Sequence, residues 1–143
     1  MTKTIGDRHT GVLDTSTIIL LDRLSARDIP EHPVITTISL AELSVGPLAT
    51  DDPTERAKRQ LLLQEVEATF DPLPFDSDAA RAFGRVAASL RNAGRKPAAR
   101  AFDALIAATA LSNQLDLYTC NPRDYEGIEG LNVVAVPYPG GPD

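Results

Sequence analysis

The sequence has 143 residues, of which 43% are hydrophobic, and its formal net charge is −6. This length suits one compact domain with a substantial core, and the composition excludes the disordered and fibrous classes. The excess of acidic residues opposes long-range attraction to nucleic acid, because phosphate binding depends largely on Lys and Arg.

The apolar segments near the start of the chain are too short for export or membrane insertion. The longest uncharged apolar run near the start, Thr15 to Leu21, is far below the roughly 20 residues of a bilayer helix, and no basic segment with a cleavage site precedes it. The single cysteine, Cys120, cannot form an internal disulfide. We therefore expect a cytoplasmic protein.

The chain opens with a strand, a helix and a second strand. Gly11 to Leu13 predicts a strand that ends at Asp14, and the apolar stretch from Ile18 to Leu24 predicts a helix. The β-branched run from Val34 to Thr37 predicts the second strand.

Helices dominate the middle of the chain. Ser39-Leu-Ala-Glu42 matches a capping box, in which Ser39 caps a helix and Glu42 reaches back, and Gly46-Pro47 closes that helix. Pro53 opens a longer helix. Leu73 to Phe75 is a possible small strand.

The last part returns to alternating helices and strands. Asp76 caps a helix that ends near Gly94, and a further helix runs from about Arg100 to Asn113. Strands are predicted at Leu117 to Cys120 and at Asn132 to Val136.

This order predicts an α/β fold in one domain, residues 1–143, with a core at about 10–138 and an irregular tail at 139–143. Strands alternating with helices favour a doubly wound parallel sheet of four to five strands with helices on both faces. In such folds, sites form at the carboxyl ends of the strands.

Three acidic residues stand alone in apolar surroundings. Asp14 is the only acid between His9 and Leu21, Glu42 is the only charged residue between Pro33 and Thr50, and Asp103 lies in a helix that is apolar almost all round. A buried carboxylate is costly unless a partner, a shifted pKa or a metal compensates it.

Each of these acids also has a structural interpretation. Asp14 could cap the first helix, Glu42 could complete the capping box, and Asp103 could pair with Arg100 one turn back. Their common placement after strands favours a shared site, to which the turn after the fourth strand, counting Leu73 to Phe75 as the third, adds Asn121 and Asp124.

Converging carboxylates repel one another unless a cation lies between them, and oxygen-only ligands select Mg²⁺ or Mn²⁺. Ser16 and Thr119 lie within two residues of the relevant strand ends, so either hydroxyl could hold a water at the metal or serve as a cap. We expect Asp14→Asn, Glu42→Gln and Asp103→Asn each to abolish the activity of this site, because each removes a ligand of the cation. Each substitution should also relieve repulsion between the carboxylates when no metal is bound.

One segment is strongly basic. The chain from Arg81 to Phe102 carries six basic residues and no acidic one, which indicates either a phosphate-binding face or a solvated helix and loop. The candidate phosphate-binding residues are Arg81, Arg85, Arg91, Arg95, Lys96 and Arg100.

Four segments resemble, in order and spacing, the four acidic motifs of PIN domains, in the style of bacterial VapC toxins. They are Val12-Leu-Asp-Thr-Ser16, Ile38-Ser-Leu-Ala-Glu-Leu43, Ala101-Phe-Asp-Ala-Leu-Ile-Ala-Ala-Thr109 and Tyr118-Thr-Cys-Asn-Pro-Arg-Asp-Tyr125. The resemblance covers about residues 10 to 138. It implies that the catalytic and metal-binding acids are Asp14, Glu42, Asp103 and Asp124.

Many relatives carry an acid at the position of Asn121. The fourth ligand is therefore either Asp124 or a pair in which Asn121 and Asp124 share the role. The resemblance further implies metal-dependent endoribonuclease activity, a cognate VapB-type antitoxin and a homodimer.

Two other functions are compatible with parts of this pattern. One is a non-catalytic PIN-fold module that only binds a partner. The other is an aspartate-based phosphatase or receiver domain, which the residues favour less. Such phosphatases need a second Asp where this chain has Ser16, and receivers need a Lys after the last strand, where Val133 to Pro139 has none.

Overall fold

The computed structural model describes residues 9–140, and its centre is a parallel sheet in the order β2-β1-β3-β4. Because every neighbouring pair of strands is parallel, all four carboxyl ends meet at one edge of the sheet. The strands are β1 (Thr10–Leu13), β2 (His32–Val34), β3 (Asp116–Thr119) and β4 (Val133–Ala135).

The predicted parallel sheet is confirmed with four strands. The segment from Leu73 to Phe75 forms only an isolated parallel bridge, between Leu73 and Thr36. Pro72 and Pro74 flank Leu73 and carry no N–H, so a ladder cannot extend from it.

Within residues 9–140, five α-helices surround the sheet. They are α1 (Thr15–Ile19), α2 (Thr37–Val45), α3 (Pro53–Thr69), α4 (Ser77–Asn92) and α5 (Ala101–Ser112). Short 3₁₀ turns occupy Leu21–Arg23, Ala26–Asp28, Gly46–Ala49, Pro97–Arg100 and Pro122–Tyr125.

Side-chain caps fix where several helices begin. Asp76 caps α4 as predicted, since its Oδ1 accepts a hydrogen bond from the Ala79 N–H at 2.9 Å. The predicted Ser39 cap of α2 is wrong. Thr36 is the cap, and its hydroxyl accepts from the Ser39 N–H at 3.2 Å. The first helix begins at Thr15, immediately after Asp14 and earlier than predicted.

Two hydrophobic cores lie on opposite faces of the sheet. Val12 and Leu117 pack with residues of α4 and α5, whereas Leu13 and Ile35 pack with residues of α1, α2 and α3. Adjacent strand residues such as Val12 and Leu13 point to opposite faces, which explains the division. The prediction of helices on both faces is therefore confirmed.

After β4 the chain is irregular through Gly140, and the rest of the predicted tail, residues 141–143, lies outside the described residues. Among residues 9–140, every helix is too short or too polar to cross a membrane.

Candidate active site

A cleft of about 410 Å³ lies at the carboxyl edge of the sheet and brings the four predicted acids together. Asp14 follows β1, Glu42 lies on α2, Asp103 lies in the first turn of α5, and Asp124 lies in the turn after β3. The cleft is lined by Asp14, Thr15, Ser16, Ile19, Glu42, Ala99, Arg100, Ala101, Phe102, Asp103 and Asp124.

Asp14 is the most enclosed of these acids, with 3% of its surface exposed. Its Oδ1 accepts hydrogen bonds from the Thr17 N–H at 3.1 Å, the Thr17 hydroxyl at 2.5 Å and the Ser16 hydroxyl at 3.2 Å. Its Oδ2 accepts from the hydroxyls of Thr119 at 2.7 Å and Tyr125 at 3.1 Å. Asp14 therefore caps α1, as its structural interpretation predicted, and also lines the cleft.

The hydroxyls around Asp14 are oriented by the backbone. Thr17 Oγ1 accepts from the Cys120 N–H at 3.1 Å, and Thr119 Oγ1 accepts from the Asn121 N–H at 2.9 Å. Each hydroxyl proton is then directed to Asp14. The surroundings of Asp14 are built for an acceptor-only, ionised carboxylate.

Glu42 is held from the neighbouring helix rather than by a capping box. Its Oε1 accepts a hydrogen bond from the Thr15 hydroxyl at 2.6 Å, and Thr15 Oγ1 also lies 2.8 Å from Ser39 Oγ. These contacts join the start of α1 to α2 and fix the carboxylate in the cleft.

Asp103 has the most perturbed acidity of the four. Burial, followed by the charges of Asp124, Asp14 and Glu42, raises the pKa of Asp103 from 3.8 to about 6, and a hydrogen bond from Tyr125 opposes part of the shift. Because the other three acids all contribute, the carboxylates share one electrostatic environment.

Tyr125 contacts two of the acids and was not among the predicted site residues. Its hydroxyl lies 3.1 Å from Asp14 Oδ2 and 3.3 Å from Asp103 Oδ1. Burial and the charges of Asp14 and Asp103 raise the pKa of Tyr125 well above its usual value, so the hydroxyl keeps its proton. A phenol has a single proton to donate, so the second contact is best satisfied when the Asp103 carboxyl is protonated.

Arg100 compensates part of the acidic charge. Its Nη1 lies 3.1 Å from Asp124 Oδ1 and 3.8 Å from Asp103 Oδ2, so the predicted contact with Asp103 is present and a closer one with Asp124 accompanies it. The Arg100 side chain is 53% exposed. It can therefore turn toward solvent or a ligand at low cost.

Asp124 and Asn121 are placed differently. Asp124 lines the cleft, whereas Asn121 is exposed and donates from Nδ2 to Ser16 Oγ at 3.1 Å. Asn121 therefore contacts the acid cluster through Ser16, which in turn donates to Asp14.

The donor set suits a hard divalent cation. Among residues 9–140, no three side chains of the Asp, Glu, His and Cys types form a preformed metal cluster. The cleft nevertheless offers four carboxylates and, among its lining residues, one guanidinium, and after burial the negative charges of the other three acids contribute to the raised pKa of Asp103. Oxygen donors with unbalanced negative charge fit Mg²⁺ or Mn²⁺ rather than a softer metal.

The six basic residues differ in their contacts. Arg100 lines the cleft. Arg81 pairs with Asp78 in its own helix, and Arg95 donates to the backbone carbonyls of Arg123 and Glu126 at 2.9 and 2.8 Å. The remaining three are exposed: Arg85, Arg91 and Lys96.

The chain is similar in sequence to proteins named VapC ribonucleases. The chain is 37% identical over 129 residues to Ribonuclease VapC5 of Mycobacterium tuberculosis, an alignment that covers 88% of this chain and 93% of that protein. It is 30% identical over 129 residues to Ribonuclease VapC1 of Rickettsia felis, with coverage of 87% and 95%.

Solved structures with a similar fold lead to the same group of proteins as the sequence comparison. A member of the VapBC family of toxin-antitoxin systems, VapBC-5 from Mycobacterium tuberculosis, superposes with a TM-score of 0.78 at 36% identity, covering 89% of this chain and 98% of that one. DNA-bound VapBC from Salmonella typhimurium shares the fold, with a TM-score of 0.67 at 24% identity and coverage of 87% and 96%. The PIN domain family model matches residues 12–128, and the chain therefore belongs to the PIN domain family.

Proposed function

We propose that this chain is a metal-dependent endoribonuclease that hydrolyses RNA phosphodiester bonds and acts as the toxin of a VapBC-type toxin-antitoxin pair. The observation that carries this proposal is the joint placement of four acids in one cleft, with the pKa of Asp103 raised by burial and by the other three. The ribonuclease relatives supply the reaction class.

The cation would be Mg²⁺ or Mn²⁺, held by Asp14, Glu42, Asp103 and Asp124. When bound, it would lower the pKa of a water molecule and stabilise the negative charge that grows on the phosphate during hydrolysis.

The protein's own contribution is to hold the acids and to bind the substrate. Five hydrogen bonds fix Asp14, and Thr15 fixes Glu42. Thr119 is fully buried, and we assign its hydroxyl to holding Asp14, whereas Ser16 lines the cleft and is placed to orient a water. Arg100 is exposed enough to contact a substrate phosphate.

The partners follow from the relatives. VapBC-5 from Mycobacterium tuberculosis, which is 36% identical to this chain, is a member of the VapBC family of toxin-antitoxin systems. We therefore infer that this chain binds a VapB-type antitoxin. We also infer that RNA is the substrate of this chain. Expression without that antitoxin should arrest growth, and co-expression should restore it. The homodimer implied by the resemblance stays a prediction.

The direct test is cleavage of labelled RNA by the purified protein. We expect cleavage with Mg²⁺ or Mn²⁺, none with EDTA, and none from Glu42→Gln, which removes one acid but keeps a hydrogen-bond acceptor for Thr15. A chain that binds its antitoxin but cleaves no RNA under these conditions would instead be the non-catalytic interaction module.

The fourth ligand can be identified by a pair of substitutions. Asp124→Asn should weaken Mn²⁺ binding and RNA cleavage at least about tenfold, because a hard cation gains more from a carboxylate than from an amide. Asn121→Ala should change both by less than about threefold, since Asn121 is exposed and contacts Asp14 only through Ser16.

Calorimetry with Mn²⁺ and initial cleavage rates would measure both effects. If the two ligands reach the same ion, Asn121→Asp should restore activity to the Asp124→Asn protein. Equal and negligible losses in both single variants would mean that the site operates with three acids.

Exposed basic residues between the end of α4 and the Pro97–Arg100 turn should set the salt dependence of RNA binding. Arg91, in the last turn of α4, and Lys96, just before the turn that carries Arg100, are exposed. The double variant Arg91→Gln with Lys96→Gln should lower the log–log slope of affinity against salt by about 0.7 per lost phosphate contact.

The matched control removes the same charge elsewhere. Arg81 lies about 15 Å along α4 from Arg91 at 1.5 Å per residue, and Lys58 lies on α3. Arg81→Gln with Lys58→Gln should leave the slope unchanged. Equal slope changes in the two double variants would place the RNA elsewhere or show only a net-charge effect.

A further inference from the structure

Tyr125 is a buried residue whose polar end reaches the acid cluster. It closes the Pro122–Tyr125 turn, is 2% exposed and belongs to the core cluster that includes α4 and α5. A ring enclosed in this way has few alternative rotamers, so its hydroxyl oxygen has a fixed position.

That hydroxyl lies between two acids from separate parts of the fold. Asp14 follows β1 and Asp103 lies in the first turn of α5, and the Tyr125 hydroxyl lies within hydrogen-bond distance of both, at 3.1 and 3.3 Å. The other hydrogen bonds to the Asp14 carboxylate come from Ser16, Thr17 and Thr119. Within residues 9–140, Tyr125 is the side chain whose hydrogen bonds join the sheet edge to α5 at this site.

The turn that carries Tyr125 is itself anchored. The Arg95 guanidinium donates to the carbonyl oxygens of Arg123 and Glu126, on both sides of Asp124 and Tyr125. Gly127 follows with a φ of +91°, and a Cβ there would lie 2.8 Å from Ala93 Cβ, so the end of the turn packs closely against the α4–α5 connection. The position of the hydroxyl is thus set by the turn as well as by the ring.

Two carboxylates that must act on one cation repel each other before the cation arrives. A fixed hydroxyl between them places its one proton against one of the carboxylates, which offsets part of this repulsion, and it holds their separation, which reduces the reorganisation needed for binding. We propose that Tyr125 is a positioning residue that ties Asp14 to Asp103 in the geometry that the cation requires. This inference rests on the proposed metal-dependent function.

The test is Tyr125→Phe, which removes one oxygen and keeps the buried ring. We expect Mn²⁺ affinity to fall about tenfold and kcat to fall by a similar factor, with KM for RNA within about twofold of the wild-type value. In the metal-free protein, the side-chain carboxyl ¹³C resonances of Asp14 and Asp103 should both shift.

The matched control is Tyr118→Phe. Tyr118 is a partly buried tyrosine on β3 whose ring lies near His9, and it does not line the cleft. The Tyr118→Phe substitution should leave the Mn²⁺ affinity, kcat and the carboxyl resonances of Asp14 and Asp103 unchanged. Thermal unfolding of both variants would show that each remains folded.

A Tyr125→Phe protein with wild-type Mn²⁺ affinity, or with unshifted Asp14 and Asp103 resonances, would overturn the positioning role. Failure of the wild-type protein to bind Mn²⁺ would instead overturn the proposed function. The carboxyl resonances need no metal, so they decide the role of the Tyr125 hydroxyl in either case.

Discussion

Asp103→Asn is expected to reduce RNA cleavage at least about 100-fold, a loss of about 3 kcal/mol of transition-state stabilisation, while making the metal-free protein more stable at pH 8. The activity falls because the site loses a charged ligand. The stability rises because the pKa of Asp103 is raised from 3.8 to about 6, so its ionised form is disfavoured in the folded protein.

The pH dependence follows from the direction of that shift. The favourable contribution of the protonated Asp103 carboxyl is complete below about pH 4 and is lost as the pH rises through about 6. The full shift corresponds to about 3 kcal/mol, and solvent screening of a side chain that is 26% exposed reduces this to about 1–2 kcal/mol.

Urea denaturation in EDTA at pH 5 and pH 8 would measure the effect. The stability gain of Asp103→Asn over the wild-type protein should be larger at pH 8 than at pH 5, and Asp71→Asn, an exposed acid outside the cleft, should show no such difference. A gain that is equal at both pH values would contradict the assignment of a raised pKa to Asp103.

Asp14→Asn is expected to abolish cleavage as fully but to destabilise the protein, by about 2–3 kcal/mol at neutral pH. The Asp14 carboxylate is the acceptor in all five of its hydrogen bonds. The hydroxyls of Thr17 and Thr119 are in turn oriented by backbone N–H groups. An amide nitrogen in place of either oxygen would face a donor and leave both groups unsatisfied.

Urea denaturation and RNA cleavage of Asp14→Asn, beside Asp71→Asn, would check this result. From the sequence we expected that removing any of these acids would relieve repulsion. For Asp14 the hydrogen bonds reverse the sign, because this carboxylate is already compensated by donors. An Asp14→Asn protein that is as stable as the wild-type protein would contradict the ionised, acceptor-only interpretation of Asp14.

The sequence could reveal the acids because of where they stand. Asp14, Glu42 and Asp103 interrupt apolar segments, and two of them follow strands, so a parallel sheet brings them to one edge. The same apolar segments identified the strands and helices on both faces. The hydrophobic periodicity and the isolated charges were sufficient to predict the order of the elements and the acids of the site.

Finer features depended on contacts that no local pattern contains. Ser39 and Thr36 are both good caps, and the choice between them depends on where the backbone leaves β2. Leu73 to Phe75 is the exception, because the sequence itself holds the reason: Pro72 and Pro74 restrict it to one bridge.

Tyr125 was missed for the same reason. It is separated by 111 residues from Asp14 and by 22 from Asp103, so its role follows only from the folded structure. The signal that could have identified it is a large aromatic residue directly after Asp124, in a turn at the carboxyl edge of the sheet.

The central claim is that the four-carboxylate cleft binds the divalent cation used in RNA cleavage. Calorimetric titration of Mn²⁺ into the metal-free wild-type, Asp103→Asn and Asp71→Asn proteins tests it most directly. We predict binding to the wild-type and Asp71→Asn proteins with equal affinity, and at least about tenfold weaker binding to Asp103→Asn. Equal Mn²⁺ affinity in all three proteins, or no binding to the wild-type protein, would contradict it.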